Sequence, residues 1–211
     1  MGYAREPQDT IKLKMQDAGF TSMSAVQLST RLGRQLGIFN VVGEEGEGKR
    51  TCGPDALVIV LEYLRLITSD ASEIVEAHYQ IMPTEAMDTY ADMHAITAYG
   101  ASKGMVTSTP RTDVSAFAAF SIVTGCFLLR LAIEAPECTK PEMHLIAYIA
   151  DVNRVHDNNS EVSVITFDRE TDVKKPARRN RKKGGANAIL FELFPDAVSI
   201  RIREMFECRC V

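Results

Sequence analysis

The 211-residue chain predicts an α+β domain, with helices in its first 120 residues and an antiparallel set of strands after them. Three observations lead there. Apolar residues in the first part recur near a 3.6-residue period. From Cys126 onward they fall in short runs rich in valine and isoleucine, separated by turn residues. Hydrophobic residues make up 45% of the chain and charged residues 25%, ordinary globular values that allow a sizeable core.

Ile11, Leu13, Met15, Ala18 and Phe20 mark a helical segment over residues 8–20, and Val26, Leu28, Leu32 and Leu36 a second that Gly37 stops. Ile38–Val42 is a short apolar segment. Gly43–Arg50, with three glycines and three glutamates, is a surface loop. Thr51-Cys52-Gly53-Pro54-Asp55 then opens the main helix, running to about Ile67. Pro54 suits the first helical position, where a missing N–H costs nothing, and Asp55 the first turn, where it faces the positive end of the helix dipole. That helix is apolar over most of its circumference and belongs in the core. Ser69–Glu73 caps another helix carrying Ile74, Val75, Ala77 and His78. Pro83 starts a helix through Met87, Tyr90, Met93 and Tyr99 that Gly100 and Gly104 end, its methionines filling core space. Asp113–Phe120 predicts a short helix capped by Thr112 or Asp113.

Five strands follow: Cys126–Ile133, Met143–Val152, Val162–Asp168, Ala188–Phe194 and Val198–Arg203. Asp157-Asn158-Asn159-Ser160 is the turn between the second and third. Residues 1–49 are expected to form a helical extension and loop, and residues 50–211 the main domain.

The net charge of −4 argues against a protein built wholly around nucleic acid. The five cysteines are odd in number and contain no CxxC pair, so neither a disulfide framework nor a zinc quartet is expected and a reducing compartment is the default. The N-terminus lacks the basic-then-apolar order of a signal peptide, and no apolar run is long enough to span a bilayer. No HExxH, P-loop or glycine-rich dinucleotide fingerprint is present, so no cofactor or metal is expected.

Cys52, just ahead of an apolar helix, stands beside unpaired backbone N–H groups, the environment that favours a thiolate. His144 opens one expected strand and Asp168 ends the next, which puts both at the same edge of a hairpin. A thiol, an imidazole and a carboxylate in that order of contact make a nucleophile, a base and the group that orients the base. The N–H of Cys52 and a side-chain donor would supply an oxyanion hole. His78 and His94 sit on expected helices without a ligand-spaced companion, and His156 beside the turn is expected to face solvent.

Cys52 at a long helix start, then Cys126–Ile133, Met143-His144-Leu145-Ile146-Ala147-Tyr148 and Ile165-Thr166-Phe167-Asp168, resembles papain-like cysteine peptidases over about residues 50–205. Within them the chain is most similar to the compact YopT/AvrPphB type of effector protease and to C39-like domains. The resemblance implies a papain-like fold, a protein or peptide substrate, Cys52 as nucleophile, His144 as general base and Asp168 as the orienting acid. It also implies an oxyanion Gln or Asn ahead of the cysteine, for which Gln35 and Asn40 are the candidates. The chain departs from its relatives in carrying Arg169 and Glu170 where they often have Pro and Asn.

Lys174, Lys175, Arg178, Arg179, Arg181, Lys182 and Lys183 place seven cations in ten residues without an acid. Between two expected strands this is an exposed loop, suited to an acidic partner, to nucleic acid or to a nuclear import receptor. It carries the alternative reading, a non-enzymatic viral or effector protein, or a pseudoenzyme, that binds through this loop. The expected location is the cytoplasm or a host cytosol, with nuclear entry through the basic run.

Overall fold

A computed structural model describes residues 52–67, 76–77, 80–81, 92–136, 138–157, 164–174 and 184–211. The expectations for residues 1–51, including the 49/50 boundary, Gln35 and Asn40, lie outside the described residues, as do those for most of residues 68–91. The described chain divides into two compact units, one reaching to Val106 and including Cys210 and Val211, the other Thr107–Arg209.

In the first unit, helix α1 spans Cys52–Tyr63 and α2 spans Met93–Ser102. Every residue of α1 from Cys52 to Leu61 is buried, as its all-round apolar surface predicts. The helix opens at Cys52, so Pro54 stands inside the first turn, where N–H groups still lack intrahelical acceptors. Its end is a Schellman turn: Leu66 N–H donates to Leu61 O at 2.9 Å across Arg65, held at φ 58°. Asp92 caps α2 by accepting from the His94 N–H. Gly100 does not stop this helix; a Cβ there would run into the Met105 methyl. The turn comes at Gly104, at φ 91°. Val211 N–H donates to Gly104 O at 3.1 Å, and Cys210 Sγ lies 3.4 Å from Leu64 O. Strand β1, Met105–Thr107, carries the chain into the second unit.

The second unit is an open antiparallel sheet with helices on one face. Its elements are β2 (Arg111–Val114), α3 (Ala116–Phe120), β3 (Cys126–Glu134), β4 (Glu142–Ile149), β5 (Arg154–His156), β6 (Val164–Thr166), α4 (Ala186–Leu193) and β7 (Ser199–Cys210). The strand order is β7-β3-β4-β5-β6, and β2 also pairs β7. Phe127, Leu129, Leu131, Ile146 and Tyr148 on one face pack with Phe120, Ile189 and Leu190 of the helices. On the other face Leu128, Ala147 and Ile149 are equally buried, the reason these strands read as continuous apolar runs. Among the described residues no helix is long and apolar enough to cross a membrane.

Three sequence expectations are corrected here. Ala188–Phe194 is not a strand. Ala186, Ile189, Leu190 and Leu193 are the buried residues of α4, an i, i+3, i+4, i+7 stripe that becomes visible only when Ala186 is counted. The helix over Asp113–Phe120 is shorter. Arg111–Val114 pairs with β7, and Ser115, not Thr112 or Asp113, caps α3 by accepting from Ala118 N–H at 3.1 Å. Finally, β5 stands between the strands expected to be neighbours, which changes the geometry of the candidate site.

Candidate active site

Side chains alternate across a strand, so His144, Ile146 and Tyr148 of β4 share the helix-covered face. On β5 the same face carries Val155, opposite Tyr148, and then Asp157. Asp157 is therefore a diagonal neighbour of His144, within reach of a long side chain. His144 Nε2 and Asp157 Oδ1 lie 2.5 Å apart. The pair is enclosed: His144 is 8% exposed and Asp157 1%. The ring of Phe194, just past the end of α4, meets the imidazole edge to face at 5.1 Å and 77°. When the ring is neutral with its proton on Nε2, that N–H donates to the Asp157 carboxylate. Asp157 Oδ2 is buried with no hydrogen-bond partner among the described residues, and its Oδ1 meets His144.

Asp168 is elsewhere. Because β5 is antiparallel to both β4 and β6, those two strands run parallel, with Ile149, Arg154 and Thr166 in line. The end of β6 thus lies at the opposite end from the start of β4, on the order of 20 Å from His144 along the sheet. Asp168 has a local role instead. Its Oδ1 accepts from the N–H groups of Glu170 and Thr171 at 2.8 and 2.9 Å, capping the single π-type turn Arg169–Val173. Asp172 answers by accepting from Asp168 N–H at 2.7 Å. Next to it, Arg169 donates to Phe120 O, the Tyr148 hydroxyl and Ala150 O, tying that turn to the end of α3 and to β4.

Cys52 is the first residue of α1, in the other unit, and is 6% exposed. Of the basic run only Lys174 is among the described residues; it is exposed and paired with Glu170. Lys175, Arg178, Arg179, Arg181, Lys182 and Lys183 lie outside them. His156 is half-buried, not fully solvent-facing. Its Nδ1 is buried with no hydrogen-bond partner among the described residues, and burial, aided by the positive charge of Arg154, pushes its pKa down to about 4. Among the described residues no three His, Cys, Asp or Glu side chains converge as metal ligands.

Asp157 was missed because Asp157-Asn158-Asn159-Ser160 has the composition of a turn. The signal that could have found it is the two-residue step from Val155, which puts it on the core face. No family model, curated protein or solved structure matches the chain.

Proposed function

We propose that the protein is a cysteine-dependent hydrolase of peptide or isopeptide bonds on a papain-like plan, with Cys52 as nucleophile, His144 as base and Asp157 as the orienting acid. The observation that carries this reading is the buried His144–Asp157 pair. An imidazole held by a carboxylate on one nitrogen is the standard means of keeping the other nitrogen basic and aimed. Cys52 stands at the N-terminus of α1, the position the reading assigns to the nucleophile. In this reading the Cys52 proton passes to His144, and the thiolate sulfur bonds to the substrate carbonyl carbon. His144 then returns the proton to the departing amine as the C–N bond breaks. Water, deprotonated by the same ring, releases the acid from the thioester and restores the thiol.

The rate of iodoacetamide labelling of each cysteine against pH tests it. Removing His144 outright would strand a buried carboxylate and unfold the unit, so His144→Gln and Asp157→Asn are the variants, with circular dichroism as the check on folding. Cys52 is expected to label fastest and well below pH 8, to lose that advantage at least tenfold in both variants, and to keep it in Asp168→Asn. An ordinary thiol profile at Cys52, indifferent to His144, overturns the mechanism. A second reading, docking of an acidic partner or nucleic acid, is supported by the seven cations of residues 174–183 in an otherwise acidic chain. It predicts salt-sensitive binding lost on neutralising Arg178, Arg179 and Arg181.

A further inference from the structure

A groove beside β6, away from His144, encloses about 210 Å³ between that strand, the turn Arg169–Val173 and α4. Its floor is apolar, with Ile165, Phe167 and Ile189. Its rim carries Thr171, Asp172 and Glu192. Among the described residues the charges lining it are these two carboxylates: Asp172 also accepts from Asp168 N–H and the Thr171 hydroxyl, and Glu192 makes no ion pair or hydrogen bond. The volume is below that of an ordinary small-molecule pocket and suits one long side chain. An aliphatic stem on an apolar floor with a cation at an acidic rim is how arginine and lysine bury their stems while keeping the head solvated. The groove also adjoins β6, the last strand in the order, and among the described residues no strand pairs with its outer edge. An open edge is where an extended peptide adds a strand, main-chain bonds giving affinity and alternate side chains giving specificity.

We propose that this groove takes the side chain of an arginine or lysine carried by an extended peptide that pairs with the outer edge of β6. The charge complementarity of Asp172 and Glu192 selects the cation, and the apolar floor selects a long stem over a small amine. The inference stands apart from the hydrolase reading, since it uses none of Cys52, His144 or Asp157.

The test is fluorescence anisotropy of the full chain with a labelled, end-blocked hexapeptide of valine and threonine carrying one central arginine, against the same peptide with citrulline. The arginine peptide is expected to bind about fivefold tighter than the citrulline peptide. Glu192→Gln should remove most of that difference, and Ala188→Met, which fills the groove from an exposed helical position, should abolish binding. Equal binding of the two peptides, or indifference to both substitutions in variants with unchanged circular dichroism, overturns the proposal. So does binding that emerges only when Arg178, Arg179 and Arg181 are changed to glutamine, which would make the chain's own basic segment the occupant.

Discussion

His144 and His156 sit one strand apart and show how neighbouring backbone decides what the same side chain does. His144 points to the helix-covered face and meets a carboxylate at 2.5 Å. His156, opposite Ala147, points the other way, and its buried Nδ1 has no hydrogen-bond partner among the described residues. With its pKa lowered to about 4, His156 stays neutral in the native protein while the unfolded chain takes up a proton near pH 6.5. Stability contributed by the neutral ring is therefore full above pH 6.5 and lost as pH falls toward 4, by up to about 3 kcal/mol. Urea titrations at pH 7 and 4.5 are expected to show this fall, and His156→Gln should flatten it. An equal fall in the variant would assign the acid sensitivity to other groups. The same scale separates Asp157 from Asp168. One is enclosed and holds a ring; the other is exposed and holds backbone N–H groups.

At the scale of elements, the ends of helices carry the local information. Arg65 occupies the left-handed position of the turn that closes α1, where glycine is the usual residue. A side chain in that conformation costs on the order of 1 kcal/mol. Arg65→Gly should raise stability by about that amount without altering the fold, read as a higher urea midpoint with an unchanged slope; a lower midpoint would mean that the arginine side chain makes compensating contacts. Helix α4 shows the opposite sensitivity, to the reading frame of a pattern. Ile189-Leu190-Phe191 has the composition of a strand. The residues on either side, Ala186 and Leu193, complete a helical stripe that packs on the sheet. Composition favoured one answer and periodicity the other, and packing followed the periodicity.

Across the whole second unit, stability is expected to concentrate in the central strands. β3 is paired on both sides, by β7 and β4, over nearly its full length, and both its faces are buried. β5 and β6 are three residues each, and β6 ends the strand order. Hydrogen exchange should therefore be slowest at Leu128–Leu131 and Leu145–Tyr148 and faster by orders of magnitude at Val164–Thr166, where less must open. Uniform protection across these strands would mean that the sheet opens only by global unfolding.

The sequence by itself determined the α+β class, the core position of α1, the start of that helix close to Cys52, and the runs that became β3, β4 and β7. Each of these depends on burial and on periodicities of 3.6 or 2, which are written in neighbouring residues. Which carboxylate meets His144 was decided only by tertiary structure. A three-residue strand, Arg154–His156, is too short to announce itself in composition. Yet its insertion makes β4 and β6 parallel, sends Asp168 to the far end of the sheet, and brings Asp157 to the imidazole. Strand pairing is a contact between segments distant along the chain, so one short added strand reverses which ends meet while leaving every local pattern unchanged.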